Sequence, residues 1–257
     1  MSLTHDGICL FVGVALGLLL SVVFAVRAIT RRRLLGLTPT PPLKGHRRAD
    51  YCLLVVHMQL DHYSRNAAVR EACPDLGVRV AALVALCRAR GIEVVHLRDD
   101  SGPKTSPWYA FWLRMNPHGD ASADPTAAED FAAELPGEKV FKSFGCDGVG
   151  MDSGLEGYLR RRGRSSVFVC GVTTSCSVHI NALGLFLRGY EAFVVGDCCA
   201  DRTLKVHRST LQRENRRSYA VCTSEGVRAL LDADPDFDLL SGYSYVGANT
   251  MQFEMYG

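Results

Sequence analysis

The chain has little net charge. Its 29 Lys and Arg against 27 Asp and Glu leave +2 at neutral pH over 257 residues, which removes the long-range attraction that a general nucleic-acid binder uses. Basic residues do gather, at Arg31, Arg32 and Arg33 and again at Arg160, Arg161, Arg162 and Arg164. The second group falls at the end of a predicted helix, where cations meet the negative end of the helix dipole. A solvated helix terminus is expected there, and no nucleic-acid partner. Internal repeats and low-complexity blocks are also missing, which excludes solenoids, propellers and disordered arrays. Tryptophan is scarce, with both copies inside "SPWYAFWLRMNPHGD". Cysteine is not scarce at ten copies, yet Cys52, Cys87, Cys170 and Cys222 lie inside apolar runs, where a free thiol behaves as a small buried hydrophobe. That usage points to reduced cysteines and a reducing compartment. With 47% hydrophobic and 22% charged residues, the chain has material for one globular domain of about 200 residues and an appendage.

The appendage is at the front. From Ile8 to Val26, "ICLFVGVALGLLLSVVFAV" carries no charge over 19 residues, about the length that crosses a hydrocarbon core. The preceding "MSLTHDG" lacks the Lys or Arg of a signal-peptide n-region, so an uncleaved single-pass anchor is the reading, with a cleaved or organelle-targeting segment as the alternative. Arg27, Arg31, Arg32 and Arg33 follow the span, and the positive-inside rule then puts the rest of the chain on the cytosolic face of a membrane. The expected organisation is an anchor with its basic flank over residues 1–35, a proline-containing extended linker over 36–50, and one domain over 51–257.

Within that domain, short apolar runs alternate with helical patterns. Candidate strands are Cys52–Val56, Glu93–Leu97, Lys139–Lys142, Ser166–Cys170, Glu191–Val195 and Tyr219–Cys222. Val80, Leu83, Val84 and Cys87 recur at helical spacing, as do Leu155, Tyr158 and Leu159, and Val178, Ala182, Leu185 and Phe186. Gly91, Gly163 and Gly189 each stand where a helix ends and a strand begins, the place for a left-handed residue. This alternation predicts an α/β three-layer sandwich with a mostly parallel sheet. In such sheets ligands bind beyond the carboxyl ends of the strands, where strand order reverses. The residues at those ends are His57 and Gln59, then Arg98, Asp99 and Asp100, then Lys142 and Ser143, then Gly171 to Ser177, then Asp197.

Three segments, "CLLVVHMQLDHY", "GEKVFKSF" and "VCGVTTSCSVHINALGLFLRGYEAFVVGDCCAD", resemble in order and spacing the isochorismatase-like cysteine hydrolase superfamily. The likeness runs from about Tyr51 to Leu231. It implies a six-stranded sheet of order 3-2-1-4-5-6 and a small-molecule substrate. It also implies assembly into homo-oligomers, and a reaction in which an aspartate takes the proton of a cysteine thiol, a lysine stabilises the anion and the thiolate attacks a carbonyl. Lys142 matches the lysine. His57 stands where the family has its aspartate, and Asp61 matches the second, non-catalytic acid of that motif. The family nucleophile falls three residues after Thr174 and twelve before Gly189, and both counts arrive at Ser177. Cys176 is the alternative nucleophile, at the cost of a turn deletion and a helix insertion that rotates the apolar face by about 100°.

A serine hydroxyl needs an adjacent base, and His57 is the candidate, with a nearby Lys142 expected to lower its pKa. The backbone N–H groups of Val172 and Ser177 are the candidate oxyanion hole, and Gln59, Trp108, Trp112 and Thr173 the candidate pocket wall. True isochorismatases protonate a vinyl ether without relying on the cysteine, a route that here requires a protonated His57. The metal-binding branch of the superfamily carries Asp and His ligands after the second strand; "HLRDDSGPKTS" has acids but no closely spaced histidine pair, so no metal and no cofactor are expected. Cys198 and Cys199 are expected to be buried rather than to bind metal. Two readings remain open: an altered hydrolase acting on a small amide or other C–N bond, and a catalytically inactive family member that binds or scaffolds.

Overall fold

The strand β1 (Tyr51–Val56) is buried at all of its positions, as a continuous apolar run must be when both faces of a parallel sheet are covered. It lies near the middle of a six-stranded sheet, β3-β2-β1-β4-β5-β6. The other strands are β2 (Glu93–Asp99), β3 (Lys139–Ser143), β4 (Ser166–Val172), β5 (Glu191–Ala200) and β6 (Ala220–Cys222), and every neighbouring pair is parallel. This is a computed structural model that describes residues 50–100, 105, 107–115, 124, 126–150, 153–215 and 218–232. The expected membrane span over residues 8–26 and nearly all of the linker lie outside the described residues. Among the described residues no helix is long and apolar enough to cross a membrane.

Among the described residues six α-helices connect the strands, α1 (Ala67–Ala72), α2 (Leu76–Ala89), α3 (Pro107–Met115), α4 (Leu155–Arg161), α5 (His179–Leu187) and α6 (Leu204–Glu214), and α7 (Ser224–Asp232) follows β6. The helical spacing noted at Val80, Leu83, Val84 and Cys87 marks the buried face of α2, which packs against β2 and β5. Gly91, Gly163 and Gly189 all have positive φ, so the chain reverses after α2, α4 and α5 where glycine tolerates the left-handed conformation. The Arg160 to Arg164 cluster is tied down locally. Arg160 pairs with Glu156, and Arg162 and Arg164 with Glu93.

Leu53, Leu54, Leu97 and Phe168 are fully buried at the centre of the sheet, each contributing roughly 2–3 kcal/mol of apolar burial. Two expectations are corrected. β5 does not stop at Val195: it passes through Gly196 to Ala200, with a register irregularity opposite Val169 and Gly171. A side chain at Gly196 would crowd Leu211 and Val221, so the glycine permits close packing within the strand. In consequence Asp197 lies inside β5, where it accepts hydrogen bonds from the Ser224 N–H (2.8 Å) and hydroxyl (2.5 Å) at the start of α7. Cys198 and Cys199 are buried in the same strand, as expected.

Candidate active site

Strand order reverses between β1 and β4, whose residues Val56 and Gly171 face each other in register. A crevice is expected at this switch point. Close approach of the two strands depends on Gly171, at φ +123°, because any Cβ there would overlap the Val56 carbonyl oxygen.

On the β1 side, His57 follows the strand directly. Its N–H donates to the Leu97 carbonyl at 2.9 Å, and its φ of +51° lies in the left-handed region, which is uncommon for a non-glycine residue and marks local strain. The ring is 1% exposed, and neither of its nitrogens has a hydrogen-bond partner among the described residues. His62 lies beside it, ring centroids 5.2 Å apart, and His62 Nε2 is 3.6 Å from Asp99 Oδ2. Gln59 clamps this arrangement. Its amide donates to the Asp99 carbonyl (2.8 Å) and accepts from the Asp99 N–H (2.9 Å), so the loop after β1 is bolted to the end of β2. Asp61 accepts from Arg65 at 2.7 Å.

Burial pushes the His57 pKa well below its ordinary value, with His62 adding to the effect. Burial also lowers the His62 pKa, to about 4. Both imidazoles are therefore neutral at physiological pH and keep a lone pair. The lowering of His57 was expected, but from Lys142; its causes are burial and His62.

On the β4 side, the chain passes through a cis Val172–Thr173 peptide into a π-helical turn, Thr174–Val178, that leads into α5. Partners hold this turn at several points. Thr174 Oγ1 is 2.7 Å from His207 Nδ1 of α6, and the Ser175 N–H donates to Asp201 at 2.7 Å. Asn181, fully buried on α5, donates to the Ser177 and Cys146 carbonyls and accepts from the Gly148 and Val149 N–H groups, at 2.7 to 3.0 Å. Cys176 forms a disulfide with Cys146, Cα atoms 6.2 Å apart, which corrects the expectation that the cysteines are all reduced. In that state it offers no thiolate for attack. The remaining described cysteines form no disulfide and are buried.

The predicted residues thus divide. His57 and Ser177 sit on adjacent strand ends, but His57 makes no hydrogen bond to Ser177 or to Lys142. Lys142 is exposed on β3, opposite Arg98, with its Nζ 3.3 Å from Thr126 Oγ1. Val172 in β4 and Thr173 after it are both buried. Trp108 and Trp112 belong to α3; their side chains are outside the described residues. Sequence reasoning missed His62, Asn181, Asp201 and His207. For His62 a signal existed, the spacing of five from His57 in "HMQLDH".

The sheet is a doubly wound parallel one with polar residues gathered at its switch point, the place where α/β domains of this architecture hold ligands. Residues 51–226 match the Isochorismatase domain, and the chain belongs to that family. Isochorismatase domain-containing protein 2 of Xenopus laevis is 33% identical over 69 residues, 27% of this chain and 34% of that protein, so the likeness spans about a third of that relative's length. Among solved structures, a cysteine hydrolase from Pseudomonas syringae pv. phaseolicola aligns at TM-score 0.63 and 18% identity, covering 76% of this chain and 99% of its own. N-carbamoylsarcosine amidase from Thermoplasma acidophilum aligns at TM-score 0.58 and 21% identity, over 68% and 97%. At these identities the structures share the fold.

Proposed function

We propose that this chain is a hydrolase of a small amide or related C–N compound, held at the cytosolic face of a membrane by residues 8–26 and assembled as a homo-oligomer. Ser177 is the nucleophile. Its Oγ attacks the carbonyl carbon as its proton passes to His57, and the tetrahedral oxyanion is received by backbone N–H groups at Val172 and Ser177. The His57 proton then goes to the leaving nitrogen, and water cleaves the acyl-serine by the same route in reverse order. Lys142 supplies positive charge after release from Thr126, which its exposed position allows.

The observation that carries this reading is His57: neutral, next to the β4 end, with ring nitrogens committed to no partner among the described residues. Catalytic hydrogen bonds commonly tighten only when substrate is bound. The same lowered pKa argues against the vinyl-ether route, which needs a protonated acid. One observation favours the second reading, an inactive binding domain: among the described residues no carboxylate hydrogen-bonds to the His57 ring to orient it, as a complete triad requires.

The test is turnover of small amides, ureides and vinyl ethers by the full chain in mild detergent, wild type against Ser177→Ala. Loss of amide turnover by about 10³-fold or more supports the serine route. Turnover that survives Ser177→Ala overturns it, and a wild type that turns over nothing favours the binding domain.

A further inference from the structure

We infer that His57, His62 and Asp99 form a binding site for one first-row divalent metal ion of the zinc type. One donor atom from each of the three lies within 4.8 Å of the others, and all three residues are buried. The His62 Nε2 to Asp99 Oδ2 distance, 3.6 Å, exceeds a hydrogen bond. It is near the separation of about 3.4 Å that two ligands take on a tetrahedral ion with bonds of about 2.0–2.1 Å. The wider pairs must draw together. The group best able to move is the His57 ring, which no hydrogen bond from a described residue holds.

Burying an imidazole with both nitrogens unsatisfied is costly, and here that cost coincides with a left-handed backbone at the same residue. A cation on the ring would offset the first and give the second a purpose. The donor chemistry agrees, since two neutral imidazoles and one carboxylate suit zinc-type ions and not the all-oxygen shells of magnesium or calcium. An outer shell is also in place. Gln59 fixes the Asp99 backbone from both sides, and the Gly145 N–H lies 3.4 Å from Asp99 Oδ1, the kind of support that orients metal ligands. Three protein ligands leave an open position for water or a substrate atom.

This ligand set draws both histidines from the segment after β1 and only Asp99 from the second strand, whereas the metal-binding branch of the superfamily carries its Asp and His ligands after the second strand. Ligation uses a lone pair on His57 that a Ser177 proton would otherwise take, so the two roles of His57 are alternatives. The inference concerns binding and does not rest on the serine reading.

The test uses the full chain, stripped with chelator and titrated with Zn²⁺ against a chromophoric competitor, with bound metal counted by mass spectrometry. Co²⁺ serves as a visible-absorption probe and Mg²⁺ as a competitor. Wild type should hold one Zn²⁺ that excess Mg²⁺ does not displace. His57→Ala and His62→Ala should each weaken it by more than the roughly 10–100-fold typical of outer-shell changes, while His179→Ala should not. Absence of stoichiometric Zn²⁺, or equal affinity in the His57 and His62 variants, overturns the assignment. If either variant fails to fold, histidine-ring ¹H–¹⁵N spectra of the wild type decide. Zn²⁺ must perturb the His57 and His62 nitrogens, and perturbation confined to other histidines overturns it.

Discussion

The two strand ends that meet at the switch point are built on opposite terms. At the β4 end, Thr174, Ser175 and Ser177 are each engaged, by His207, Asp201 and Asn181, and Cys176 is bonded to Cys146. The β1 end has its backbone equally well fixed, through the Leu97 carbonyl and the Gln59 clamp, yet it holds an imidazole that bonds to nothing among the described residues. A turn pinned through a hydroxyl, an N–H and a carbonyl of three of its residues is a frame; a buried, strained ring with no partner among the described residues is a group waiting for a reactant or a ligand. The contrast suggests that the nucleophile turn keeps its shape whatever chemistry it performs, while His57 carries what is particular to this chain.

Three substitutions probe that contrast. The largest effect is expected from Gly171→Ala, which removes the close approach of β4 to β1 on which both ends depend. With a positive φ and a Cβ overlapping the Val56 carbonyl oxygen, it should cost about 4 kcal/mol or more, seen as insoluble protein or a collapsed urea midpoint. Asn181→Ala strips the frame at the β4 end alone. It leaves two carbonyls and two N–H groups without their buried partner and should cost about 3 kcal/mol in urea denaturation. His57→Asn, at a backbone conformation that asparagine tolerates, should change stability by less than about 1 kcal/mol, because no hydrogen bond is lost. A large destabilisation by His57→Asn would mean that the ring is structural and would erase the contrast.

Much of the frame was legible in the sequence, because strand and helix periodicities are local. All six strands and the helices around Val80, Leu155 and Ala182 follow from apolar spacing, and the strand order follows from the family resemblance. α6 escaped because its buried residues, His207, Thr210 and Leu211, include two polar ones, so no apolar stripe announces it. The length of β5 escaped because the apolar run breaks after Val195, at Gly196 and Asp197. In the site, His57, Ser177 and Lys142 could be named from motif spacing, but their relations could not. The His62 to Asp99 approach joins residues 37 positions apart through the β1–β2 register, and the Cys146–Cys176 pair spans 30. Neither separation leaves a trace in local pattern. The depressed pKa of His57 was anticipated in direction, but its cause lies in burial, which periodicity does not report residue by residue.

The central claim is that Ser177 attacks the substrate. The most direct measurement is mass spectrometry of the full chain quenched in acid during turnover of a small activated amide, followed by peptide mapping. An acyl adduct on the peptide that contains Ser177, absent in Ser177→Ala, is the predicted result. Turnover with no adduct on Ser177, or an adduct on another residue, would contradict it.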